Sequence, residues 1–376
     1  MDKSLPRIPA LDFLRALAVM LVVFRHALHM FSVYSPDTAT YKWITEHLSF
    51  FLNGWVGVDL FFTISGFLIS RPFIYNDQQS IKSYFIRRGL RIIPAYYFVM
   101  ILCLVGFFPA YTSAIPEGEY FKTILYHMLF LQDYLPSNIN IVFWSLGSEE
   151  KFYILAPILV SGIIFLSRKN NKTYYLIILL LLVMSLISRI TSYYFAGMPS
   201  DYAAFFISTR SPFHCCLDPF LFGVGIAFFE KYNHQKKLDL KKSAEIVFII
   251  SLVLLMALMA QGYMLENINF YSASLQPFLI SLAMAGLVWS GVMGGIPKKL
   301  SVSPIRYLSR ISYSLYLIHL PLWPLTFLIT LKIFGIQCDY SSILFFTSLY
   351  LMLSLGLSSL LYYFVEAPFL KLREKF

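Results

Sequence analysis

The sequence predicts an all-α, polytopic integral membrane protein of about ten transmembrane helices, with both termini in the cytoplasm. Three observations predict it. Apolar stretches of roughly 20 residues, the length an α-helix needs to cross a bilayer, recur along the 376-residue chain. Only 13% of the residues are charged and 58% are hydrophobic, where a soluble domain carries about 25% charged residues. Basic residues collect in alternate connecting segments. Lys3, Arg7, the Arg87–Arg91 run, Lys169, Lys236, Lys237, Lys241, Lys242, Lys298, Lys299, Lys371, Arg373 and Lys375 fall on one side, against Lys42, Lys122, Arg210 and Lys332 on the other. That asymmetry is the positive-inside rule. It also accounts for the net charge of +10 without a nucleic-acid partner.

The first span, Leu11–Phe31, runs from inside to outside and is interrupted by Asp12, Arg15, Arg25 and His26. With those charges and no small-residue cleavage site after it, the segment is not a secretory signal. Arg15 and His26 are eleven residues apart, so they share one helix face and lie roughly 16 Å apart along the axis. Trp55–Ile74 enters from outside and carries Asp59 about one turn in. Ile92–Tyr111 is opened by Arg87, Arg88 and Arg91, followed by Pro94. Tyr120–Leu131 is too short to cross and is expected at an interface. Phe143–Leu166 carries Glu149 and Glu150 in its second turn, with Lys151 placed to neutralise one of them. Tyr174–Phe195, Pro212–Phe229 with Asp218, Ala244–Tyr263 and Leu275–Met293 follow. Ile311–Ile333 bears a stripe of Ser312, Tyr316 and His319 at i, i+4, i+7, ahead of Pro321, which frees a backbone carbonyl. Ser342–Val365 is the tenth span, and Glu366 after it is expected to make a structural contact with a basic loop. The expectation is one membrane domain over residues 1–376, ending soon after its last helix.

Depth gathers the polar groups. His26, Asp59, Glu149 and Asp218 fall at one level in the outer third, which suggests a proton-handling site; Glu149 and Glu150 point about 100° apart, so one of the two faces it. The alternative for any one of them is a hydrogen bond between helices. On the cytoplasmic side, Arg87, Arg88 and Arg91 at a helix N-terminus, with Arg15 above them, suit phosphate oxygens. The alternative is an anchor on anionic lipid. Cys103, Cys215, Cys216 and Cys338 show no metal or redox spacing and are read as small apolar packing residues.

Taken in order, these segments resemble the acyltransferase-3 family over nearly the whole chain. The pieces are Leu11-Asp12-Phe13-Leu14-Arg15 with His26, Gly57 to Phe67, Arg87-Arg88-x-x-Arg91-Ile92-x-Pro94, Trp144 to Tyr153, Ser312 to His319, and Glu366-x-Pro368. Lys151 stands where the family often has glutamine. The resemblance implies a bacterial cytoplasmic-membrane enzyme that moves an acyl group, commonly acetyl from acetyl-CoA, to a hydroxyl of an extracytoplasmic glycan. It assigns Arg15 and His26 to essential roles and Arg87, Arg88 and Arg91 to coenzyme A phosphates.

His26 is expected to act as general base, with Glu149 or Asp59 orienting its tautomer, and with Ser65, Tyr316 and His319 along the donor path. Direct transfer is expected first, and an acyl-enzyme through His26 or Ser65 second. Many relatives that modify peptidoglycan or O-antigen carry a fused SGNH hydrolase-like domain. None is expected here, which argues against peptidoglycan, so lipopolysaccharide O-antigen is the expected acceptor, with a cytoplasmic acceptor such as an antibiotic sugar as the alternative. Transfer would finish in the membrane domain or on a separate partner. No metal is expected, and oligomeric state stays open. The competing readings are an acyl relay to a partner protein and a transporter or flippase, the latter without the inverted repeats that would favour it.

Overall fold

A computed structural model describes residues 7–34, 39–76, 80–108, 111, 114–168, 172–261, 268–335 and 340–376. Lys3, Lys169, Tyr263 and Cys338, all used above, lie outside the described residues. Those described form helices and no strand.

Helix α1, Pro9–Tyr34, opens with proline at its first position and an Arg7–Asp12 ion pair of 2.6 Å across its first turn. Its 26 residues reach about 39 Å, enough to cross a bilayer with tilt. A short α2, Ala39–His47, leads to α3, Gly57–Tyr75. Then come α4, Ile81–Leu104; α5, Tyr120–Met128; α6, Trp144–Leu166; and α7, Lys172–Phe195. A π-helical turn at Phe206–Arg210 precedes α8, Leu217–Lys236, which Lys237 ends in a left-handed conformation. Helices α9, Lys241–Met259, and α10, Gln276–Val292, are followed by α11, Ser303–Ile318, and α12, Trp323–Phe334. The chain closes with α13, Tyr340–Leu361, and α14, Ala367–Arg373.

Each predicted span overlaps a helix, although Ile92–Tyr111 runs past the end of α4 at Leu104 and Pro212–Phe229 starts before α8; Tyr120–Leu131 overlaps the short α5. Five segments of the described residues are long and apolar enough to cross a membrane: Ser49–Tyr75, Thr173–Phe195, Lys241–Met259, Tyr271–Val292 and Tyr340–Arg373. The expected span Ile311–Ile333, with its kink at the proline, is two helices, α11 and α12, bent by 60°. Pro321 is the cause. It has no N–H to give Leu317, and Asn140 Nδ2 donates to the Leu317 carbonyl instead, at 3.0 Å. Helices α1, α4, α6 and α8 sit where spans were expected but carry the charged groups that build the site.

Burial separates two kinds of helix. The apolar window containing α3 is 83% buried inside the molecule, against 22% for that of α7. Around α3 pack α1, α6, α8 and α10. The α3–α8 crossing is close because Gly66 and Gly223 face it. A Cβ on Gly66 would strike the Phe220 carbonyl, and one on Gly223 the Thr63 carbonyl. In contrast, α9 leaves Ile246, Ile249, Ile250, Val253 and Met256 exposed at helical spacing, an apolar face suited to lipid.

Candidate functional site

Two cavities inside the bundle share part of their lining. The first, of about 720 Å³, is lined by Arg15, Arg88 and Arg91 at its basic end and by Ser65, Glu149, Ser312, Tyr313 and Tyr316 further in. The second, of about 520 Å³, is lined by Arg25, His26, Trp55, Trp144, Tyr202 and Arg210. Val58 and Tyr316 line both. Helix α1 thus carries Arg15 into one cavity and His26 into the other, three helical turns apart.

At the arginine end the helix begins earlier than expected. Ser80 caps α4 by accepting from Ser83 N–H at 3.2 Å, so the helix starts at Ile81 and the arginines lie in its second and third turns. Backbone N–H groups there are bonded within the helix, so the expected helix terminus is not at the arginines to meet a phosphate. The guanidinium groups remain. Arg88 and Arg91 line the cavity, with the Arg88 guanidinium 5.8 Å from the Tyr84 ring and 5.4 Å from the Tyr153 ring. Arg87 does not line it. Of the two adjacent glutamates Glu149 faces the cavity, where it accepts from Ser65 Oγ, and Glu150 does not. Tyr316 Oη lies 2.6 Å from Ser145 Oγ and donates to the Val142 carbonyl at 3.1 Å, which fixes the ring at the junction.

At the other end two imidazoles touch. His319 Nε2 is 3.1 Å from His26 Nδ1, and the fully buried His319 places its own Nδ1 3.0 Å from the Leu315 carbonyl. A carbonyl only accepts, so His319 carries its proton on Nδ1 and offers Nε2 as an acceptor. His26 Nδ1 is also 2.9 Å from the Val22 carbonyl. Its N–H is therefore shared between that carbonyl and His319, and His26 Nε2 is left as the basic nitrogen. His319 does not line either cavity; it stands behind His26 rather than along a donor path.

The expected ring of carboxylates around His26 is corrected by three ion pairs. Asp59 is held by both terminal nitrogens of Arg210, at 3.1 and 3.0 Å. Asp218 accepts from Arg189, and from Ser185 Oγ at 3.3 Å. Lys151 binds Asp133 at 2.5 Å and neutralises neither Glu149 nor Glu150. Neither Asp59 nor Glu149 orients His26. Their burial at one depth was legible, but their partners were not. Arg189 was the available signal: a charge in the middle of a strongly apolar helix calls for a buried acid. Glu366 is buried and accepts from Ser314 Oγ at 2.7 Å, a contact within the bundle rather than to a loop. Cys103, Cys215 and Cys216 are buried free thiols. Among the described residues no group of three His, Cys, Asp or Glu could hold a metal ion.

Guanidinium groups thus line one cavity and the His26 imidazole the other, and Val58 and Tyr316 belong to both walls. Comparison with known proteins gives a consistent context. A family profile described as an acyltransferase domain matches residues 8–363. The chain is 25% identical to the peptidoglycan O-acetyltransferase OatA of Listeria monocytogenes over 85% of its own length and 50% of the relative's. It is 26% identical to the O-acetyltransferase OatA of Staphylococcus aureus over 84% of its length and 50% of the relative's. The chain thus spans about half the length of these relatives. No solved structure matches it.

Proposed function

The chain belongs to the acyltransferase-3 family, and from that membership we propose that it is an O-acetyltransferase carrying acetyl from cytoplasmic acetyl-CoA to a hydroxyl of an extracytoplasmic glycan. The same proposal takes the protein as a bacterial cytoplasmic-membrane protein with ten crossings and the arginine end inside. One observation carries the reading: two cavities that share Val58 and Tyr316, one ending at Arg15, Arg88 and Arg91 and the other at His26.

In this proposal coenzyme A is substrate. Its phosphates meet the guanidinium forks, and its thin pantetheine arm passes Val58 and Tyr316 to bring the thioester carbonyl towards His26. His26 Nε2 takes the proton of the glycan hydroxyl as the oxygen attacks that carbonyl. The tetrahedral adduct collapses by breaking the C–S bond, and the departing thiolate recovers the proton from the imidazolium. The new ester stays on the sugar. His319 supports the imidazolium through the shared Nδ1–H and acts as a positioning residue. No acyl-enzyme is needed, although Ser65 lies in the first cavity, where Glu149 holds its hydroxyl.

Lipopolysaccharide O-antigen is the acceptor expected from the sequence. Peptidoglycan is the second reading, favoured by the printed substrate of the Listeria relative. The purified chain incubated with radiolabelled acetyl-CoA and each glycan tests the proposal. Label on sugar supports transfer, and the labelled glycan identifies the acceptor. Label on protein alone supports an acyl relay, and no thioester turnover with any acceptor overturns the enzyme reading in favour of transport.

A further inference from the structure

Four arginines are buried among the described residues: Arg25, Arg71, Arg189 and Arg210. Three have acids. Arg71 pairs with Glu230 at 2.8 Å, Arg189 with Asp218, and Arg210 with Asp59 at 3.0 Å. Arg25 differs. It is 4% exposed, its Nε has no hydrogen-bond partner, and among the described residues no carboxylate pairs with it. With its Nε buried and unbonded, its stem buried and no carboxylate beside it, this guanidinium is a costly group kept in a defined place.

That place is the second cavity. Arg25 lines it one residue before His26, and no acidic side chain lines it beside them. Arg210, the other cation in its wall, is already neutralised by Asp59 and sandwiched between Trp55 and Trp144, at 4.7 and 5.2 Å from their ring centres. Gly54 lets its segment pack directly on α1 beside Arg25: an added Cβ would strike the Leu21 carbonyl and stand 3.2 Å from Arg25 Cβ. Tyr202 and Trp55 give the same cavity aromatic surface with polar edges. A mostly apolar cavity with one uncompensated cation is built for a ligand that brings one anionic group.

We propose that the second cavity is a subsite for an oxyanion borne by the acceptor, a carboxylate or a phosphate, which Arg25 grips so that a neighbouring hydroxyl meets His26. The inference rests on the reading of the chain as an acyltransferase acting on glycans, and it narrows that reading to acidic acceptors.

The test uses the whole purified chain in nanodiscs. Tryptophan fluorescence, to which Trp55 and Trp144 contribute from the cavity wall, is titrated with trigalacturonate, with inorganic phosphate and with neutral galactotriose. The wild type is expected to bind at least one anionic probe, the two arms telling carboxylate from phosphate, and to bind galactotriose at least about tenfold more weakly. Arg25→Met should weaken anion binding by about 10- to 100-fold, the range of a charged hydrogen bond, and Arg25→Lys by less. Arg88→Ala should leave the signal in place, which separates it from the arginine end. Arg25→Met should also melt no lower than the wild type without probe, because it removes an unpaired charge.

Equal binding of neutral and anionic probes overturns the proposal. So does anion binding that survives Arg25→Met, or a lower melting temperature in that variant, which would make Arg25 a structural residue. If no glycan is acetylated yet Arg25-dependent anion binding is found, the transferase reading fails and the anion subsite stands. Acetylation of acidic and neutral glycans alike, unaffected at Arg25, overturns the subsite alone.

Discussion

His26 and His319 lie 293 residues apart in sequence and share one hydrogen at 3.1 Å. That contact sets which nitrogen of His26 is basic, and it yields distinct expectations for the two rings. His26→Ala should lose about 10²- to 10⁴-fold in acetyl transfer, the contribution of a positioned base, while keeping coenzyme A affinity by calorimetry. His319→Phe removes the acceptor behind the base without touching the donor cavity. It should lower kcat with the KM for acetyl-CoA unchanged; an equal loss in both would make His319 merely a packing residue. A different residue-scale effect belongs to Asp59. Asp59→Ala leaves Arg210 buried and unpaired, which should cost about 3–5 kcal/mol in unfolding free energy. The double variant with Arg210→Met should recover most of that cost, measured by denaturation of the purified protein. The sequence made His26, Asp59 and Glu149 visible as expensive polar groups in apolar runs. Their pairing was not visible, because an acid's partner is set by which helix packs against it. Arg210 entered the sequence reading as an outer-segment charge, yet it is the counter-ion of Asp59.

Among helices, the register of α4 decides what its arginines do. Ser80 starts the helix two turns before the basic run, so Arg88 and Arg91 point at the first cavity and Arg87 does not line it. Arg88→Ala should therefore weaken coenzyme A binding by about tenfold or more, as expected for a charge-assisted hydrogen bond, whereas Arg87→Ala should change it little. Equal losses at the two positions would contradict the geometry. The helical spacing of Ser312, Tyr316 and His319 foretold one polar stripe, and the structure keeps it, but Pro321 bends the span by 60° just beyond. Sequence showed the proline and the freed carbonyl. It did not show that Asn140 would take that carbonyl, since the contact joins residues 177 positions apart.

At the scale of the molecule, positions of helices were legible because apolar runs of span length are a one-dimensional signal. Cavities are not, since they arise where four or five helices fail to fill space. The division of labour between an outward apolar shell and a buried α3 follows from the same patterning: α7, Arg189 apart, and α9 beyond its first turns are apolar, whereas α1, α4 and α6 carry charges that line the interior. The bundle as a whole holds one cavity lined by cations and a second lined by His26, with Val58 and Tyr316 in both walls, and the proposed function makes a route of them. The most direct measurement places the two substrates on opposite sides of a membrane. Proteoliposomes holding a membrane-impermeant acceptor glycan inside are given labelled acetyl-CoA outside only. Acetylated glycan recovered from the lumen, absent with His26→Ala, is the expected result. Acetylation that occurs only when donor and glycan share one compartment would contradict a path through the protein.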